Sequence, residues 1–179
     1  MKTNTTFNFC DISIAADRVA MVLISLRYSD IIFQEFTAEI TRYMMPAVPS
    51  DIRNIRAFIN TAVDDMKNNI DLTMAILKKD DDEFLGICGL HGKQNPAEPA
   101  LGIWLKKSAH GNKYGQEAIK TLVAWARQNI DFRRMLYPCD RDNIASCKIA
   151  ESLNGTIIRT GVIKSMSGRM LNEITYSIE

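Results

Sequence analysis

The chain has 179 residues, 22 basic and 21 acidic side chains, a net charge of +1 and 46% hydrophobic residues. That length fits a single domain spanning residues 1–179 with a sizeable core, and the balanced charge argues against nucleic-acid binding through a broad basic field. Cys10, Cys88, Cys139 and Cys147 show no CxxC spacing and no partnered histidine pattern, so no metal site is expected. The polar Met1–Asn8 segment resembles no leader peptide, and no apolar run approaches membrane-spanning length. These features predict reduced thiols in a cytoplasmic protein that does not enter membranes.

Taken in order, Phe7–Ile14 predicts a short first strand and the continuously apolar Val19–Ile24 a buried one. Ser25 or Ser29 is placed to cap a helix running to Phe36, with Ile31, Ile32, Phe36 and Ile40 on its apolar side. Pro46 and Pro49 interrupt the next segment. Ser50-Asp51 then opens a helix in which Ile52, Ile55, Phe58 or Ile59, Ala62 and Met66 recur at helical spacing. Leu72–Leu77 and Phe84–Leu90 flank a charged connection and predict a hairpin. Ala100–Leu105 is the next strand, Gly115–Ile130 an amphipathic helix, and Met135–Tyr137 a short strand stopped by Pro138. Ile144–Leu153 predicts a helix closed by Asn154-Gly155. Thr156–Lys164 and Leu171–Ile178 predict a final hairpin around Ser165–Arg169. The sum is an α+β fold, a mixed and mostly antiparallel sheet flanked by helices, with a β-α-β unit from about residue 100 to 138.

The polar loop between Leu105 and the long helix holds two glycines, Gly111 and Gly115. A helix start carries free N–H groups, and those of Asn112, Lys113 and Tyr114 are placed to form a concave nest for an anion. A strand-to-helix turn with two glycines is also common without any ligand, so spacing alone leaves both readings open.

The order and wording of several stretches resemble the GNAT family of N-acetyltransferases, in particular the branch that contains RimJ and RimL. They are Gly102-Ile-Trp-Leu105, His110–Gly115, Gln116-Glu-Ala118, Asp140–Ser146 and Leu153-Asn-Gly155, with Phe36–Pro46 similar to the first helices of that branch. The likeness spans about residues 18–178. It implies acetyl-CoA as acyl donor, its pyrophosphate on the N–H groups of His110, Gly111, Asn112, Lys113, Tyr114 and Gly115. It also implies that the strand Ile103, Trp104, Leu105 pairs with the pantetheine arm, and that Asn143 bonds that arm or orders its loop. The acceptor it implies is a primary amine, on a small molecule or a protein N-terminus, attacked directly in a ternary complex. A monomer or homodimer fits the branch.

Two departures stand out. Lys113 replaces a loop glycine, which requires a negative φ with the side chain turned away, and His110 replaces the first loop residue. Ala100 stands where the branch carries its glutamate base, which leaves Glu98 as the nearest carboxylate. Tyr137 and Ser146 are the candidates for protonating the departing thiolate. His91 and His110 read as alternative bases or, more simply, as polar loop surface, Lys106 and Lys107 as an aid to the CoA phosphates or a solvated strand end, and Tyr43, Met44 and Met45 as core or the rim of an acceptor pocket. The missing glutamate and Lys113 leave a second reading, a catalytically weak or inactive acyl-CoA-binding module.

Overall fold

The computed structural model describes residues 2–3 and 9–179. Ser13–Ala15 (β1) and Val19–Leu23 (β2) lead into Ser29–Glu35 (α1) and Ile52–Lys67 (α2). Asp71–Lys78 (β3), Phe84–His91 (β4) and Ala100–Leu105 (β5) precede Tyr114–Asn129 (α3). Met135–Asp140 (β6), Ile144–Glu151 (α4), Thr156–Lys164 (β7) and Met170–Ile178 (β8) complete the chain. Among the described residues the strands form one sheet in the order β1-β2-β3-β4-β5-β6-β8-β7, and Lys2–Thr3 pairs separately with Ile130–Asp131. Every neighbouring pair in the large sheet is antiparallel except β5 with β6. The expected α+β, mostly antiparallel architecture is what forms.

Periodicity explains the layers. Leu72–Leu77 and Phe84–Leu90 are buried without alternation, so β3 and β4 require cover on both faces. The helix α2 packs on β3 and α1, while α3 packs on β2, β5 and α4. The choice left open in α2 falls on Ile59, fully buried, while Phe58 is 44% exposed. Asp51 starts this helix with a capping box: its carboxylate accepts the Arg53 N–H, and the Asn54 side chain accepts the Asp51 N–H.

Several boundaries differ from the sequence expectation. Of the segment expected as a first strand, Phe7 and Asn8 lie outside the described residues. Phe9–Asp11 is a 3₁₀ turn, and only Ser13–Ala15 pairs. Neither Ser25 nor Ser29 caps α1 through its side chain; the Ser29 hydroxyl donates to Leu26 C=O instead. In the turn after α4 it is Asn154 that takes the left-handed conformation, with φ 58°.

The most consequential difference is β6, which runs through Pro138 to Asp140. Arg141 N–H bonds Asn172 C=O, so alternation points the main chain of Tyr137 and Cys139 toward β8 and that of Leu136 and Pro138 toward β5. Proline's missing donor therefore costs β6 nothing on the β8 side. On the β5 side, Leu136 N–H donates to Pro99 C=O at 2.9 Å, and the next donor would be residue 138. None exists there, so the parallel ladder ends after the Ala100–Leu136 pair and the strands part into a wedge. Lys106 N–H bonds Leu85 C=O, so by the same alternation Leu101, Ile103 and Leu105 direct their main-chain groups into that wedge.

The closed end of the wedge is held by Glu98. One carboxylate oxygen contacts both the Arg133 guanidinium and Arg134 Nε, the latter at 2.8 Å, and the other accepts from Asn95. Burial raises the Glu98 pKa, but the Arg133 hydrogen bond and the two guanidinium charges outweigh it and hold the carboxyl below its ordinary value. A lowered folded pKa means that this stabilisation is complete above the unfolded glutamate pKa of about 4.3. It is lost as pH falls through the folded value. Urea unfolding followed from pH 7 to pH 3 is expected to show Glu98→Gln less stable than wild type at neutral pH, with the two converging in acid. Parallel curves would remove Glu98 from the latch.

Candidate active site

The loop after β5 is built by short local bonds that leave its far side bare. Ala109 N–H donates to Lys106 C=O and His110 N–H to Lys107 C=O, so His110 does not offer its N–H as the sequence reading expected. Its ring nitrogen Nε2 instead meets Leu105 C=O at 3.0 Å. No N–H of residues 111–116 appears as a donor among the hydrogen bonds of the described residues. Gly111 has φ 80° and Lys113 φ 63°. The expectation that Lys113 takes a negative φ is therefore corrected. It is the left-handed N-cap of α3, the backbone shape for which glycine is the usual choice, and the lysine carries it at a cost of about 1 kcal/mol.

The helix start is pinned from the β1–β2 turn. Arg18 donates its N–H and Nε to the two oxygens of Glu117, at 2.6 and 2.8 Å, and Nη1 to Asn112 C=O at 3.2 Å. Its guanidinium also lies over the Tyr114 ring, 5.0 Å from the centroid. The lysines before the loop are engaged as well. Lys106, expected at a solvated strand end, is buried and pairs with Glu83 at 2.7 Å, and Lys107 pairs with Glu39.

Across the wedge, Asn143 Oδ1 accepts the Ser146 N–H at 3.3 Å and so caps α4. The Ser146 hydroxyl lies 3.0 Å from the Tyr137 hydroxyl. Tyr137 is 2% exposed, and burial drives its pKa well above the ordinary phenol value despite the Ser146 hydrogen bond. The pair thus presents a half-buried serine in front of a protonated, buried tyrosine. Glu98 is not brought to these groups: it stands at the opposite, closed end of the wedge, shared by two arginines.

On the α1–α2 side of β5 lies a cavity of about 530 Å³. Phe36, Met44, Val48, Phe58, Ile87 and Trp104 give it apolar walls, and Met166 reaches over from the β7–β8 turn. Ser50, Asn54, Thr73 and His91 are its polar lining residues, and among the described residues no carboxylate or ammonium lines it. Met44, read in sequence as core or the rim of an acceptor pocket, lines this cavity. Tyr43 and Met45 are not lining residues, although Met45 C=O receives the Met166 N–H. Trp104 packs against Phe36, with ring centroids 4.9 Å apart.

His91, which reads in sequence as a possible base or as loop surface, is the last residue of β4 and lines this cavity. Its Nδ1 lies 3.1 Å from Asp71 Oδ2, while Asp71 Oδ1 accepts the N–H groups of Gly92 and Lys93, both at 2.9 Å. Burial raises the Asp71 pKa, and the His91 hydrogen bond and charge together with the two N–H groups bring it below its ordinary value. An ionised Asp71 places the proton on Nδ1 and leaves a lone pair on Nε2. The signal that would have decided between the two readings is strand register: His91 pairs with Ala100, the position that lacks its glutamate.

A family model described as "Acetyltransferase (GNAT) domain" matches residues 21–156. The chain belongs to this family. The uncharacterized N-acetyltransferase p20 of Bacillus licheniformis is 22% identical over 167 residues, covering 90% of this chain and 93% of that one. RimL, a ribosomal L7/L12 alpha-N-protein acetyltransferase solved in complex with coenzyme A, has a TM-score of 0.77 at 16% identity, covering 93% of this chain and 97% of that one. The microcin C7 self immunity acetyltransferase MccE, solved with acetyl-CoA and AMP, has a TM-score of 0.75 at 19% identity, covering 90% and 92%. The protein is a GNAT N-acetyltransferase, and its acyl donor is acetyl-CoA.

The residues present fit that donor. A row of N–H groups without acceptors among the described residues suits a pyrophosphate, and the strand edge at Ile103–Leu105, beyond the Ala100–Leu136 bridge, suits an amide-bearing arm. Gly111→Val would force a β-branched residue to φ 80°. Calorimetric titration is expected to show acetyl-CoA affinity reduced at least about tenfold, a loss of 1.4 kcal/mol. Lys113→Gly, which takes the same φ without strain, is expected to keep binding. Unchanged affinity in the valine variant would take the loop out of the site.

Proposed function

We propose that the protein transfers the acetyl group of acetyl-CoA directly to a primary amine held in the cavity beside β5. The observation that carries this reading is that one strand serves both partners. Its edge at Ile103 and Leu105 opens into the wedge, while Gly102 and Trp104 form part of the cavity. An amine and a thioester laid against opposite sides of so narrow an element meet with little left to chance, which is where most of the rate gain of such a transfer originates.

Each residue then has a task. The N–H groups of Gly111, Asn112, Lys113, Tyr114 and Gly115 hold the pyrophosphate. The main chain of Ile103 and Leu105 aligns the pantetheine arm, and Ile103 N–H donates to the thioester oxygen as it gains charge. Asn143 keeps α4 in place. Ser146, with Tyr137 behind it, donates a hydrogen bond to the leaving sulfur. Neither hydroxyl is acidic enough to surrender its proton to a thiolate whose conjugate acid titrates near 8.5. Their contribution is therefore stabilisation of negative charge rather than full proton transfer.

The two thiols at the site do not compete as nucleophiles. Burial pushes Cys88 up to about 12, and burial together with neighbouring Cys147 pushes Cys139 up to about 12. Protonated thiols favour direct attack over an acetyl-cysteine relay. The cavity chemistry favours an acceptor whose amine sits on an uncharged, apolar stem, since no lining group would pair with a second charge. A small aralkyl or alkyl amine fits this, as does a protein N-terminus with an apolar leading residue; RimL acts on the alpha-amino group of a ribosomal protein. Cys88, Cys139 and Cys147 form no disulfide among the described residues, in keeping with a cytoplasmic setting.

Release of free CoA from acetyl-CoA, followed with hexylamine, 2-phenylethylamine and peptide N-termini, is expected to show turnover with at least one of them. Ser146→Ala is expected to lower kcat by about 10²-fold and leave acetyl-CoA affinity unchanged. Tight binding without turnover on any amine would favour an acyl-CoA-binding module instead.

A further inference from the structure

We propose that His91, oriented by Asp71, is the general base that deprotonates the acceptor amine. The inference rests on the amine-transfer reading above and assigns the proton acceptor that reading lacks.

Placement comes first. His91 and Ala100 are register partners across β4 and β5, and one step along the same face Gly89 opposes Gly102. The two glycines leave a bare floor, and the imidazole lies over it. A Cβ on Gly102 would stand 3.2 Å from His91 Nε2, and one on Gly89 would stand 2.9 Å from it. The free nitrogen therefore overhangs the part of β5 that separates cavity from wedge. The side chain is 42% exposed, so a ligand in the cavity reaches it.

Orientation comes second. A histidine acts as a base only with the correct nitrogen unprotonated and aimed at the substrate. Asp71 secures both by accepting from Nδ1, and it is itself fixed by two backbone N–H groups from the turn after β4. The charged groups around the ring come from three elements. Asp71 faces it from β3, and Lys93 follows it in the chain, held 3.1 Å from Asp65 of α2. From β5 the neighbours are Ala100 and Gly102, which carry no charge. The Lys93 ammonium is thus neutralised by Asp65, and the dyad retains its carboxylate partner.

The step balances as follows. The bound ammonium gives one proton to Nε2, which returns it to solvent. The freed nitrogen lone pair attacks the thioester carbon, the C–N bond forms and the C–S bond breaks. The second proton leaves nitrogen and ends on the departing sulfur, so the products are the acetamide and the free thiol.

The test uses the full chain, acetyl-CoA and the fastest amine of the panel named above. His91→Gln is expected to lower kcat by about 10²–10³-fold with acetyl-CoA affinity unchanged, and to change the shape of the pH–kcat profile. His91→Ala is expected to recover activity on addition of imidazole. Asp71→Asn is expected to lower kcat with little change in acetyl-CoA affinity and to move the ring proton from Nδ1 to Nε2, read from the imidazole nitrogen shifts by NMR. A His91→Gln protein with the wild-type kcat and pH profile would overturn the inference and leave amine transfer intact. An equal fall in kcat and acetyl-CoA affinity would also overturn it, by making His91 structural. If the wild-type protein acetylates no amine, the amine-transfer reading fails first and this inference with it.

Discussion

The missing hydrogen-bond donor at Pro138 is the constraint on which the site depends. A parallel pair of strands zips along its whole length unless something stops it, and here the ladder stops one residue after it begins. Because proline faces β5 and not β8, the interruption weakens one edge and spares the other, whose pairing continues to the end of β6. The result is an open strand edge inside a sheet, with Glu98, Arg133 and Arg134 holding the near end shut. An exposed edge is normally a liability. Here it is kept short and lies under a loop, so a ligand with amide groups fits it better than a second chain does.

Electrostatics follow the same economy. Three cationic side chains beside the loop are already committed: Lys106 to Glu83, Lys107 to Glu39, and Arg18 to Glu117. Much of the attraction for an anion therefore falls to fixed backbone dipoles at the start of α3. A fixed dipole costs no side-chain entropy on binding, whereas each long cation would. The left-handed Lys113 belongs to this arrangement, since the succession of backbone conformations that turns the N–H groups to one side needs φ > 0 at that point.

Much of the fold was legible because the signals were local. The apolar run Ala100–Leu105, the Asp51 cap, and the period of Ile55, Ile59, Ala62 and Met66 each fix an element without reference to distant residues. Pro138 misled because its effect depends on which neighbour its nitrogen faces, and register decides that. Lys113 misled for a related reason: a general steric preference was overridden by a turn that required the left-handed conformation. Glu98 drew attention as the nearest carboxylate in sequence, yet its partners lie 35 and 36 residues away and turn it into a latch. The sequence could not separate a base from loop surface at His91, because Asp71 and Gly102 meet it only across strands.

The cross-strand grouping also gives the proposed base a place directly beside Ala100. In an antiparallel pair, directly opposed residues project from the same face with their Cβ atoms about 5 Å apart, so a function held at residue 100 is within reach of residue 91. Moving a base from one strand to the next changes its length and chemistry but not the face it serves. An imidazole is bulkier than a carboxylate, and it needs floor space that any side chain at Gly89 or Gly102 would occupy. A histidine over two opposed glycines, with a half-buried aspartate behind it, is therefore one coherent arrangement, and Ala100 is the small partner that leaves it room.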